Sequence, residues 1–223
     1  NQYVTLAKQV IQQDGVAIDM PAGPSEVCVL TDETANPAFV AADLLSQAEH
    51  GTDSQVILIS TSLATVETVI EEIKEQLIKL PRKQIAIKAL ENSKAVLVKN
   101  IDEAIELVNE YAPEHLIISC KDEEAVAEKI INAGSIFLGH YSPESAGDYA
   151  SGTNHTLPTN GFAKIYSGVS IDSFVKKITY QRLTQEGLQN ISDIVILMAE
   201  AEGLQAHAEA VRVRMKPQSA KGE

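Results

Sequence analysis

The sequence predicts an α/β fold on a mostly parallel sheet, and two observations carry that expectation. Short β-prone runs of four to six residues alternate with amphipathic helical stretches through the first 140 residues. The clearest run, QVILIS at 55–60, is apolar almost throughout, as a strand covered by helices on both faces requires.

The elements follow in order. Tyr3, Val4, Leu6, Ala7, Val10 and Ile11 fall at helical spacing from the first turn. A chain that opens inside an amphipathic helix, with no initiator Met and no secretory signal, is expected to be cut from something longer. Val16–Asp19 and Glu26–Leu30 are β-prone. Asn36 caps a helix whose first residue is Pro37 and which runs through Phe39, Val40, Leu44 and Leu45 to about His50. Gln55–Ser60 is a strand, and a long amphipathic helix from about Ser62 to Leu80 is stopped by Pro81. Ala95–Val98 is a strand, Ile101–Tyr111 a helix, Leu116–Ser119 a strand. Asp122–Asn132 is a helix closed by a turn at Gly134, and Ser135–Leu138 is the next strand.

After Gly139 the pattern breaks. Gly139–Gly168 is rich in Gly, Ser, Thr, Asn and Pro, and a loop that long inside a compact domain is functional or disordered. Its spaced aromatics, Tyr141, Tyr149, Phe162 and Tyr166, argue against disorder. Ser173–Tyr180 reads as β-like. Thr184 then caps a helix to Ala201, Gly203 interrupts it, and Leu204–Met215 continues before a frayed tail, KPQSAKGE. This terminal arm is too small for a core of its own and must pack on the main body or on another chain.

Composition excludes several classes. With 223 residues and 44% hydrophobic content there is enough chain for a real core. Lys plus Arg is 18 against 31 Asp plus Glu, a net charge of −13, which argues against a broad nucleic-acid surface. No apolar run approaches the ~20 residues that cross a bilayer. Cys28 and Cys120 lie far apart in apolar stretches, neither a disulfide framework nor a metal knuckle, and read as buried packing residues. The expectation is a soluble, acidic, cytoplasmic protein.

Four constellations could carry chemistry. Gln47 and His50, three apart on one helix, can hold one metal ion; equally they are a helix C-terminus, with His50 at the dipole and Gly51 as the cap. Glu114-His115 follows Pro113, which pushes Ala112 toward extended backbone and stiffens the turn. Carboxylate and imidazole together can activate water and move protons near neutral pH; a solvated turn is the plain alternative. Asp148 and His155 share the long polar loop around Gly152, where Thr153 replaces the lysine a phosphate loop needs. Glu202 and His207 flank Gly203 and do not share a face of one straight helix. No thiolate stands among these residues, so any metal would take N and O donors, which suits a catalytic zinc or manganese site. No GxGxxG dinucleotide fingerprint occurs, and His140 has no assigned role.

Six blocks in one order, DMPAGPSEV (19–27), ANPAFVAADLLSQAEHG (35–51), NEYAPEHL (109–116), NAGSIFLG (132–139), SPESAGDYASGTNHTLPT (142–159) and LTQEGL with AEGLQAH (183–188, 201–207), resemble histidinol dehydrogenase. The resemblance implies oxidation of L-histidinol to L-histidine through an aldehyde, with reduction of two NAD, in a zinc-dependent homodimer. By motif, Gln47, His50 and Asp148 match zinc ligands from one subunit, and His207 the ligand from the other. His115 matches the proton acceptor and Glu114 the residue that activates water for hydration of the aldehyde. Ser25, His155 and Glu202 match substrate-contacting positions, a set that also takes in Gln47, His50, His115, Asp148 and His207. Family members are about twice as long. The resemblance therefore implies that 1–25 is the remnant of a truncated Rossmann-like domain and 26–168 an incomplete Rossmann-like domain carrying most zinc and catalytic residues. It makes 169–223 a dimerisation arm, with most NAD contacts upstream of Asn1. Two other outcomes are an inactive dimerising fragment and a zinc-dependent hydrolase that needs no NAD.

Overall fold

A computed structural model describes residues 2–216; the tail beyond 216 lies outside the described residues. The chain forms two compact units, Asn1–Val175 and Lys176–Glu223. The first opens with helix α1 (Gln2–Gln13), tied back by the Lys8 ammonium, which donates to Asp19 Oδ1 at 2.6 Å. Strand β1 (Glu26–Thr31) leads into α2 (Pro37–Ala48), where the Asn36 side chain caps the Ala38 amide at 3.0 Å. There follow β2 (Gln55–Ser60), α3 (Leu63–Leu77) with Ser62 as its cap, and α4 (Lys83–Glu91). Then come β3 (Lys94–Leu97), α5 (Ile101–Tyr111), β4 (His115–Ser119), α6 (Glu123–Ala127), β5 (Ser135–Leu138) and α7 (Glu144–Tyr149).

The five strands pair in parallel in the order β3-β2-β1-β4-β5, the arrangement of a Rossmann-like sheet. Alternation along each strand splits the core into two layers. Val27, Val29, Val56, Leu58 and Ile117 face α2, α3 and α4, while Cys28, Leu30, Ile59, Leu116 and Ile118 face α5 and α6. Burying both faces explains the unbroken apolar strands. Both cysteines are free and buried, as packing residues should be.

The second unit holds α8 (Gln185–Ala201) and α9 (Gln205–Met215), which pack on each other. Thr184 Oγ1 accepts the Gly187 amide at 3.0 Å, and Gly203 leaves the helix with a φ of 75°, so the chain breaks where glycine permits it. Ile194, Leu197 and Met198 of α8 are exposed.

Several local expectations give way. Val16–Asp19 and Ser173–Tyr180 form no strand; the second begins in a 3-10 turn (Ile171–Phe174). Each has β-prone residues, but among the described residues neither finds a strand to pair with, and pairing is what stabilises a strand. The helix expected over 122–132 closes at Ala127. The 83–91 and 144–149 helices were not expected; the second is only six residues long.

Candidate active site

The cluster forms at the amino ends of β1 and β4, not in the carboxyl-end crevice where open α/β sheets usually bind ligands. Helix α2 returns from the carboxyl end of β1 and delivers Gln47 and His50 to this edge. The helix ends at Ala48 with Glu49 as its cap, so His50 sits in the following turn, its amide held by the Gln47 carbonyl at 3.2 Å. The cap expected at Gly51 is therefore two residues early.

Pro113 does keep Ala112 out of the right-handed helical region, but Ala112 adopts left-handed backbone, φ 55° and ψ 64°, rather than the extended form expected. The αL cap stops α5 and turns the chain at once into Glu114-His115. Gly134 closes on this turn from β5: its amide donates to the Pro113 carbonyl at 2.9 Å, and a Cβ there would lie 2.5 Å from the Glu114 carbonyl oxygen. Gly134→Ala is expected to destabilise the chain by about 1–3 kcal/mol, read as a lower urea midpoint, because buried backbone rather than a flexible side chain must move.

One residue's backbone holds the acid and the imidazole. The Glu26 amide donates to Glu114 Oε2 at 2.9 Å, and His115 Nδ1 donates to the Glu26 carbonyl at 3.0 Å. That bond places the proton on Nδ1 and leaves Nε2 a free lone pair, buried and without a partner. Burial lowers the His115 pKa, so the ring is neutral near pH 7. His115 Nδ1 also lies 3.5 Å from Glu114 and 3.7 Å from Glu144.

Glu26, Glu114 and Glu144 are all buried, and desolvation raises each carboxyl, Glu114 to about 8. Asp43, four residues before Gln47 on α2, rises to about 7 for the same reason. Among the described residues no lysine or arginine pairs with Glu26, Glu114, Glu144 or Asp148. The ligand atoms of His50, Glu144 and Asp148 lie within 4.8 Å of one another. The fully buried Gln47 carboxamide adjoins them; with its nitrogen toward Glu144 it donates to Oε1 at 2.5 Å and Oε2 at 3.2 Å. Even with one Glu144 oxygen protonated, the other remains an acceptor. A set of N and O donors beside uncompensated carboxylates fits a divalent cation of the zinc or manganese kind.

Gln47, His50, Glu114, His115 and Asp148 thus come together. Ser25 shares with His50 and Asp53 a cleft of about 630 Å³. His155 is exposed on the long loop; Glu202, the C-cap of α8, and His207, in the first turn of α9, are exposed in the second unit. Glu26, Asp43 and Glu144 were missed. The SPES block contained Glu144, but only its burial marks it. His140 bonds Ser119 Oγ at 2.7 Å, at the carboxyl end of the sheet.

Fold and site together define a Rossmann-like α/β protein with an acid–imidazole pair beside a cluster of side chains that could hold a cation. The histidinol dehydrogenase family profile matches residues 1–215. A histidinol dehydrogenase of Bacteroides thetaiotaomicron is 63% identical over 215 residues, covering 96% of this chain and 50% of the relative. The chloroplastic enzyme of Arabidopsis thaliana is 56% identical over 227 residues, covering 99% and 48%. The crystal structure of histidinol dehydrogenase from Elizabethkingia anophelis superposes with a TM-score of 0.93 at 60% identity, covering 96% of this chain and 50% of that one. The chain belongs to the histidinol dehydrogenase family, and it spans about half the length of the curated relatives it matches.

Proposed function

We propose that this chain supplies the metal- and substrate-binding half of a zinc-dependent, NAD-linked histidinol dehydrogenase, a cytoplasmic homodimer oxidising L-histidinol to L-histidine. The carrying observation is the convergence of Gln47, His50, Asp148 and Glu144 beside the Glu114–His115 pair, with no lysine or arginine to balance the carboxylates. Gln47, His50 and Asp148 would hold zinc from one protomer and His207 from its partner, with 26–168 as the catalytic domain and 169–223 as the dimerisation arm. When bound, zinc supplies a Lewis acid that orients the amino alcohol. NAD supplies the hydride acceptor, and its contacts are assigned mostly to the part of the relatives this chain does not span.

The chain's own residues do the rest. His115 Nε2 takes the hydroxyl proton: it is neutral, desolvated, and held in one tautomer by the Glu26 carbonyl. Glu114, raised to about 8, exchanges a proton near neutral pH and activates water for hydration of the aldehyde. Ser25, His155 and Glu202 contact the substrate, Ser25 from the cleft it shares with His50. The exposed apolar residues of α8 support an arm that packs on a partner.

Zinc content across the size-exclusion peak tests this reading. Stoichiometric zinc in a dimer peak is expected, with zinc lost from His207→Ala while the dimer persists. Folded wild-type protein that retains no zinc, or a His207→Ala variant that retains all of it, overturns the assignment.

A further inference from the structure

We propose that Glu144 is a positioning residue for the cation site: its carboxylate fixes the Gln47 carboxamide with the nitrogen inward, leaving Oε1 as the donor. The inference rests on the zinc reading and adds to it a residue that acts through a ligand instead of touching the metal.

A glutamine is an ambiguous ligand. Its planar carboxamide carries one branch that can donate electrons to a cation and one that cannot, and the two differ by a half-turn. Gln47 is fully buried, so the choice must be made by protein groups and not by water. Glu144 makes it. Its side chain is buried at 2% exposure, and both oxygens lie within reach of the Gln47 nitrogen, at 2.5 and 3.2 Å. Beside a bound cation Glu144 would be ionised, and an ionised carboxylate accepts and does not donate, so it selects the NH2 branch. Because the branches diverge, committing the nitrogen to Glu144 frees the oxygen for another partner. The same carboxylate stands 3.7 Å from His115 Nδ1, so one residue borders both the acid–imidazole pair and the donor set. Outer-sphere partners of this kind typically tune metal affinity 10–100-fold.

Glu144 is also near enough to His50 and Asp148 to be a ligand itself, and coupling separates the two roles. Zinc affinity is measured by chelator competition at one fixed pH for wild type, Gln47→Ala, Glu144→Gln and the double variant, with folding checked by circular dichroism. Glu144→Gln, whose amide can face Gln47 with either branch, is expected to weaken zinc about 10–100-fold. In the Gln47→Ala background the same substitution should add less than about threefold, because the residue it positions is gone. If Glu144→Gln fails to fold, Glu144→Asp takes its place in the cycle with the same expectations. Full additive loss in the double variant overturns the proposal in favour of direct ligation. Unchanged affinity in Glu144→Gln, with Gln47→Ala weakened, overturns it while sparing the zinc reading. Zinc binding that neither Gln47→Ala nor His50→Ala disturbs overturns both.

Discussion

His50→Ala is expected to lower zinc affinity by about a hundredfold. Structural four-ligand zinc sites hold their metal with about 10–16 kcal/mol, so one ligand is worth roughly 3 kcal/mol, and each 1.4 kcal/mol is tenfold. His50 is the imidazole among the candidate donors near Asp148, and it sits in a turn after α2, so its loss leaves the buried helix intact. The control is His140→Ala, whose ring bonds Ser119 at the other end of the sheet and which should bind zinc as wild type does. Chelator competition reads both. Equal affinities for the two variants would remove His50 from the donor set.

Glu114→Gln is expected to flatten the dependence of stability on pH in the metal-free chain. Glu114 rises from an ordinary value near 4.5 to about 8, chiefly through desolvation, with the Glu26 and Asp148 charges adding to it. The folded state therefore holds this proton more tightly than the unfolded state does. Its contribution is complete below about pH 4.5 and is lost as pH climbs through about 8. Between those values the folded chain weakens by roughly 1.4 kcal/mol per pH unit from this group alone. Glutamine carries no charge to desolvate. Urea unfolding in chelator at pH 5, 6.5 and 8 should show the variant gaining on wild type at each step. Parallel curves would mean that Glu114 ionises freely when folded.

The fold was legible because its signals are local. Asn36-Pro37, Ser62 and Thr184 mark helix starts from their own chemistry, and Gly203 marks a helix end. The expectations that failed depended on partners: Val16–Asp19 has the residues of a strand but, among the described residues, no strand to pair with. Gln47, His50, Glu114, His115 and Asp148 stood out as candidate donors and acid–base groups from their types and from the blocks around them, and the structure brings them together. Ala112 went the other way, since proline at 113 forbids one region of backbone and leaves two.

The α/β alternation, the two-sided core and the inventory of groups able to do chemistry are legible along the chain, because periodicity and residue type are properties of neighbours in sequence. That the candidate site lies at the amino ends of β1 and β4, with Glu26, Asp43 and Glu144 beside it, comes from the three-dimensional packing alone. The same packing decides that the Glu26 carbonyl, and no side chain, chooses the tautomer of His115. Burial and proximity are the reason. A carboxyl group's proton affinity and an imidazole's free nitrogen are set by what surrounds them in space, and residues 26, 115 and 144 meet only when the sheet has formed.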